Sequence, residues 1–231
     1  MKLFYAPARV ALGEPYAGIV QLVAVTARPN AEQGFFLWAE DDHLELHRGA
    51  DRSGVWIPIA ELERRARQVP ELVRACGIGG APSLEVVDAT AGLGVDGVTL
   101  ALLGAQVTLL ERHPAAYVLA SDLVRRAAVS AGTALTEAGA YLRNCAPVDV
   151  VYLDPMFPER RKRALPGKRM QYLAALVGAD PLTPAELLLA ARGAARQRVV
   201  LKRRRHDPVL ERPDWQILGR TVRYDVYRGS A

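Results

Sequence analysis

The stretch from Leu84 to Glu111 constrains this chain more than any other. An apolar run, Leu84 to Val87, ends in Asp88, and the small residues Ala89 to Gly94 follow. Asp96 to Leu103 has helical patterning and stops at Gly104. Gln106 to Leu110 is a second apolar run, ending at Glu111. Strand, glycine turn, helix and a strand closing on an acid make up the pattern of a nucleoside-cofactor site. Without Cβ atoms, Gly92 and Gly94 let the backbone turn sharply and let a ligand lie against it. A helix beginning near Asp96 points free N–H groups and its positive end at that ligand. Glu111, at the tip of the next strand, can accept hydrogen bonds from a ribose diol. Gly92, Gly94 and Gly97 also spell GxGxxG, so an NAD-dependent oxidoreductase is an alternative reading of these residues.

The flanking sequence extends the pattern. Pro114 suits the first turn of a helix running to about Ala131, with Gly132 at its end, and a short strand is expected near Ala134 to Thr136. Val148 to Leu153 is nearly all apolar, as a strand buried on both faces should be. Thr183-Pro184-Ala185-Glu186 reads as a capping box opening a helix to about Ala195. Arg198 to Leu201 is the next strand, and Gln216 to Tyr227, broken at Gly219, forms a closing hairpin. Such alternation predicts an α/β, Rossmann-like, doubly wound sheet with ligands at the carboxyl ends of its strands. Residues 1–60 differ, with short strand-like segments at Ile19 to Val25, Phe35 to Ala39, Leu44 to His47 and Val55 to Ile59. They predict a small β-rich N-terminal subdomain, with the main domain over 61–231. That domain is expected to begin with a helix over Glu61 to Cys76, interrupted at Pro70, and a linker from Gly77 to Pro82 leading into the central unit.

Composition narrows the function classes. A net charge of +5 over 231 residues mildly favours a polyanionic partner. Cys76 and Cys145 are far apart and form no CxxC, so neither a disulfide framework nor a zinc site is indicated. His43 and His47 sit four apart in a strand-like segment, which offers no helical metal pair, and no metal is expected. His113 and His206 read as ordinary loop residues. No run reaches the length of a membrane span and the N-terminus has no signal-peptide core, so a cytoplasmic protein without a membrane partner is expected.

The decisive residues follow the Val148 to Leu153 strand: Asp154-Pro155-Met156-Phe157-Pro158. Two prolines and an acid at the exit of a buried strand make a stiff loop. Asp and Pro also end strands in plain turns. Here, however, the loop falls at the same sheet edge as the glycine turn. Asp154 and a carbonyl beside Pro155 can accept hydrogen bonds from an amino group, while Phe157 stacks on a flat ring. A basic run follows: Arg160, Arg161, Lys162, Arg163, Lys168 and Arg169 stand against the single acid Glu159. Lys202, Arg203, Arg204 and Arg205 leave the next strand. Charge runs are commonly a solvated surface, but both emerge at the predicted active edge, where they fit contact with RNA phosphates.

These motifs carry a resemblance. Asp88-Ala-Thr-Ala-Gly92-Leu-Gly94 resembles the D-x-G-x-G-x-G motif of S-adenosylmethionine (SAM)-dependent methyltransferases, with Thr90 in place of the first glycine. Asp154-Pro-Met-Phe-Pro158 resembles their (D/N)PP(Y/F) motif for methylating exocyclic amines. VVDATAGLG, LLER, VVYLDPMFP, the basic stretch through Lys168-Arg169-Met170, LVGAD and VVLKR are similar to the RsmJ family of bacterial small-subunit (16S) rRNA guanine-N2 methyltransferases. The resemblance spans about Leu84 to Tyr227. It implies a class I SAM-dependent fold, SAM as cofactor, and ribosomal RNA or the 30S subunit as partner. It also implies that Asp88, Gly92, Gly94, Val95 and Asp96 line the cofactor. Glu111 would hold its ribose, Arg112 would lie beside the adenine, and the loop around Gly139 and Ala140 would flank it. Asp154, Pro155 and Phe157 would present the target amine, and Asp154 would also contact the cofactor, closing the pocket between it and the target base. An amino-methyltransferase acting on another nucleic acid or on a protein glutamine shares these motifs. An RNA-binding domain without cofactor is a further alternative.

Overall fold

The computed structural model describes residues 1–29, 34–49, 51–79, 83–156, 167–178 and 181–231. Among them the strands form two sheets. The first is N-terminal: β1 (Lys2–Tyr5), a short α1 (Val10–Gly13), β2 (Gln21–Ala24), β3 (Phe35–Ala39) and β4 (Leu44–Arg48), in the order β2-β1-β3-β4. β1 runs parallel to both neighbours, and only β3 and β4 form an antiparallel hairpin. Strand β1 is not among the expected strands, because its parallel partners β2 and β3 lie far along the chain. The expected strand at Val55 to Ile59 reduces to one bridge between Val55 and Leu46, and Ile59 instead opens a helix. The expected interrupted helix is two helices, α2 (Ile59–Ala66) and α3 (Pro70–Cys76). Pro70 occupies the first turn of α3, where its missing N–H costs nothing.

The second sheet follows the predicted alternation: β5 (Glu85–Asp88), α4 (Val95–Leu102), β6 (Gln106–Glu111), α5 (Pro114–Ala127), β7 (Ala131–Leu135), α6 (Ala138–Asn144) and β8 (Val148–Leu153). After α7 (Lys168–Val177) and α8 (Pro184–Ala194) come β9 (Ala195–Arg204), β10 (Trp215–Leu218) and β11 (Val222–Arg228). The strand order is β10-β11-β9-β8-β5-β6-β7. The five strands β7, β6, β5, β8 and β9 are parallel, and β11 and β10 close one edge antiparallel. The chain winds outward from β5 in one direction and from β8 in the other, so these two strands flank the switch point at which α/β sheets bind ligands.

Two boundaries differ from expectation. Helix α5 stops at Ala127 because Ala128 takes a left-handed conformation at φ +50° and closes the helix. Gly132 therefore lies inside β7, which pairs with β6 from Val107↔Ala131 to Glu111↔Leu135. The capping box is present: Thr183 Oγ1 accepts from the Glu186 N–H, and Glu186 Oε2 accepts from the Thr183 N–H at 2.8 Å.

One apolar cluster runs through both sheets, from Leu3, Leu37 and Leu46 to Leu62, Leu100, Leu123, Tyr152 and Val200. Burying this much apolar surface is the main favourable term in folding. A buried carboxylate fastens the join. Asp122 of α5, 1% exposed, accepts from the Leu44 N–H and from Arg125 and Arg126. Those arginines in turn donate to the carbonyls of Asp42 and Ile57. No described helix is long and apolar enough to cross a membrane.

Candidate active site

The carboxyl ends of β5, β6, β8 and β9 share one rim, and each contributes to the site. The turn after β5 is left-handed at Gly92 (φ +55°) and Gly94 (φ +81°), a region costly for residues with a Cβ. Gly94 is also the N-cap of α4, and no side chain caps that helix. Its first-turn donors are thus suited to an anionic ligand group. Gly97 has a packing role. A Cβ there would lie 2.8 Å from Asp88 Oδ2 and 2.9 Å from Leu109 Cγ, so its absence seats α4 close on β5 and β6. A cradle shaped by missing Cβ atoms and open N–H groups fits the ribose and methionine end of a nucleoside cofactor, with Val95 and Asp96 in the first helical turn.

Glu111 stands at the tip of β6, as expected, and is 6% exposed. Its Oε2 accepts from the Gly92 N–H at 3.0 Å and its Oε1 from the His113 N–H at 2.7 Å. Burial raises its pKa, against the pull of these backbone donors. One carboxylate therefore sets the shape of the turn and presents an acceptor beside it. Arg112 donates to the Val177 carbonyl at 2.8 Å, which ties the C-terminal end of α7 to this rim. Leu173 of the same helix comes within 3.0 Å of where a Gly92 Cβ would stand, so α7 covers the turn. Gly139 and Ala140, expected in a loop, lie in the first turns of α6. There a Gly139 Cβ would collide with Leu182, 2.3 Å away.

The second loop joins the first directly. The Asp154 N–H donates to Thr90 Oγ1 at 2.7 Å, and the Ala89 N–H to the Tyr152 carbonyl at 3.0 Å. Thr90, which replaces a glycine of the motif, thus supplies the acceptor that links the cofactor turn to the Asp154 loop. Pro155 is buried behind it. Parallel pairing of Leu153 with Leu201 sets Asp154 next to Lys202. Lys202 Nζ donates to Asp154 Oδ2 and to Asp96 Oδ2, each at 2.7 Å. Asp96 also accepts from the Tyr152 hydroxyl at 2.6 Å and from Arg65 of α2.

Burial and charge divide the three aspartates. Burial pushes Asp88 up to about 8, aided by the Asp96 and Asp154 charges. Burial acts on Asp96 in the same direction, but Lys202 and Arg65 outweigh it and hold that carboxylate below the usual range. Asp154 is raised, first by burial and then by Asp96, with Lys202 opposing. Burial alone would lower Lys202, but its two carboxylate partners raise it instead. The rim therefore holds one uncharged acid, one firmly ionised acid and, between sheet and solvent, a carboxylate able to accept from an amine or take up its proton.

Several cations expected to meet RNA stand elsewhere. Lys202 points into this ion network, its side chain 19% exposed, and Arg203 is buried and donates to the Pro208 carbonyl. Lys168 bonds Ser53 and pairs with Asp51, and Arg169 pairs with Glu61, although both side chains remain more than a third exposed. Phe157, Arg160, Arg161, Lys162 and Arg163 lie outside the described residues. Sequence reading missed Tyr152 and Arg65. A lone hydroxyl in the aliphatic strand VDVVYL hints at Tyr152, whereas Arg65 sits in an ordinary amphipathic helix that gives no such hint.

Comparison with known proteins agrees with this geometry. Residues 19–229 match the family described as "Putative SAM-dependent methyltransferase". The chain is 43% identical over 195 residues to ribosomal RNA small subunit methyltransferase J of Alkalilimnicola ehrlichii, covering 78% of this chain and 72% of that protein. It is 39% identical over 224 residues to the protein of the same name from Neisseria meningitidis, covering 89% and 88%. The crystal structure of a SAM-dependent methyltransferase from Neisseria gonorrhoeae superposes with a TM-score of 0.77 at 31% identity, covering 99% of this chain and 96% of that one. The match begins at residue 19, so it takes in most of the N-terminal sheet, beyond the Leu84 to Tyr227 span of the motifs.

Proposed function

The chain belongs to the ribosomal RNA small subunit methyltransferase J family of SAM-dependent methyltransferases, and from that premise we propose that it methylates the exocyclic N2 of a guanine in 16S ribosomal RNA. The observation that carries this reading is the 2.7 Å bond from the Asp154 N–H to Thr90 Oγ1, which brings an amine-accepting loop against a cofactor turn. When bound, SAM supplies an activated methyl group on a sulfonium. The Gly92 to Asp96 turn, with Glu111 and Arg112 beside it, holds that cofactor. Asp154 and the backbone at Pro155 accept hydrogen bonds from the guanine amine, and Phe157 stacks on the base. An aromatic amine is a weak nucleophile because its lone pair is delocalised into the ring, so most of the acceleration comes from in-line orientation. The target base must be unpaired or flipped out of its stack to enter. The basic run Arg160, Arg161, Lys162 and Arg163 attracts the RNA backbone, and Lys168 and Arg169, each more than a third exposed, can exchange their acidic partners for phosphate. A cytoplasmic location follows from a ribosomal substrate.

Tritiated methyl transfer from SAM to small ribosomal subunits and to naked 16S RNA, followed by nucleoside analysis, tests the proposal. Label in N2-methylguanosine is expected, and label only in another nucleoside overturns the guanine-N2 reading. Asp154→Ala should abolish transfer while the fold survives; near-wild-type turnover removes Asp154 from its role.

A further inference from the structure

We propose that Lys202 is a positioning residue: held between Asp96 and Asp154, it fixes the Asp154 carboxylate and keeps it ionised to receive the target amine. The inference rests on the function proposed above and adds a residue to it. The geometry is specific. One ammonium lies 2.7 Å from a carboxylate oxygen of α4's first turn and 2.7 Å from a carboxylate oxygen of the amine loop. Asp96 is immobilised from its other sides by Tyr152 and Arg65, so Lys202 is anchored on a fixed partner, leaving a donor directed at Asp154. Asp96 is 8% exposed, whereas the Asp154 side chain is 40% exposed and so can reach a ligand. A lysine with an RNA phosphate as its partner would instead extend to solvent, and this one is 19% exposed.

The chemistry gives the link a purpose. In methyl transfer the amine lone pair forms the new N–C bond as the C–S bond breaks to leave a neutral thioether. One N–H proton then passes to the Asp154 carboxylate and on to water. Asp154 must be ionised to accept, yet burial and the Asp96 charge both favour its neutral form. Lys202 is the neighbouring cation that opposes them, with Arg65 a weaker second. The other titratable groups facing this cluster are Asp88 at the end of β5, Tyr152 of β8, Tyr224 of β11 and Cys76 of α3. A carboxyl, two phenols and a thiol can be neutral or anionic only, so none supplies a compensating positive charge.

Two substitutions are expected to move the acid limb of the kcat–pH profile in opposite directions. K202M removes the cation and should shift the limb up by about one pH unit or more, with K202R returning it toward wild type. D96N removes an anion that disfavours ionised Asp154 and leaves Lys202 to Asp154 alone, so the limb should move down. Each profile is read on whichever acceptor the wild-type enzyme methylates, with SAM affinity measured by calorimetry alongside. If K202M does not fold, K202Q is read in its place, with the same upward shift expected; an unmoved limb in K202Q overturns the inference. Limbs that stay in place, or move in the same direction, overturn the inference. So does a K202M enzyme with an unmoved profile and only a raised KM for RNA, which would return Lys202 to phosphate contact. Failure of the wild-type enzyme to make N2-methylguanosine is a separate result, bearing on the function and not on Lys202.

Discussion

Replacing Asp88 with asparagine should make the protein more stable relative to wild type as the pH rises. Asp88 is 1% exposed, its Oδ1 accepts from the Thr90 N–H at 3.3 Å, and burial with nearby anions pushes its pKa up to about 8 from an ordinary value of 3.8. Near neutrality the folded chain therefore binds a proton here that the unfolded chain releases. A pKa raised in the folded state gives a contribution fully present below the unfolded value, near 4, and lost as the pH climbs toward the folded value, near 8. Between those limits the loss is about 1.4 kcal/mol per pH unit, or about 2–3 kcal/mol from about pH 5.5 to about pH 7.5. Asparagine has nearly the same shape, keeps an acceptor for Thr90 and does not titrate. For a domain of this size the D88N-minus-wild-type difference in Tm should widen by roughly 5–10 °C over that interval. Urea and thermal unfolding of both proteins at constant ionic strength measure it. A difference that stays constant, or narrows as the pH rises, refutes the assignment of Asp88 as a buried neutral acid.

The remaining predictions concern the two loops and the basic run. Thr90→Val keeps the shape but removes the acceptor for the Asp154 N–H; it should cost about 1–2 kcal/mol of stability and lower kcat more than SAM affinity, read by denaturation, kinetics and calorimetry. Unchanged kcat would show that the loops hold their places without this bond. Replacing Arg161, Lys162 and Arg163 together with Ala should weaken RNA binding and flatten its salt dependence by about two to three in log–log slope, measured by filter binding. An unchanged slope returns that run to a solvated surface.

The centre of the fold was legible because its elements are written locally. Leu84 to Glu111 carries its turn, helix and acid in consecutive residues, and β8 is an apolar run that has no other stable place. The ends of α5 and β7 are not legible in the sequence, because Ala128 adopts a left-handed conformation usually reserved for glycine while Gly132, the residue with the conventional stop signal, lies inside a strand. The N-terminal strands were partly missed because parallel pairing of β1 with β2 and β3 depends on partners distant in sequence. The site divides the same way. Asp154, Glu111 and the glycines announce themselves by motif, whereas the Lys202 bridge depends on the register of β8 against β9 and the presence of Arg65 on how α2 lies across α4. Charge alone pointed Lys202 toward RNA; burial turned it inward.

Helix α7 bears on how the two sheets act together. One end of it is stitched to the first sheet's outgoing loop by Tyr172 and Lys168 against Asp51 and Ser53, and the other end is moored at Val177 by Arg112, with Leu173 resting over Gly92. It thus works like a short beam resting on two supports, one of them supplied by the amino-terminal segment. A chain shortened to begin at residue 61 would retain every residue of the glycine turn but lose one support of the beam above it.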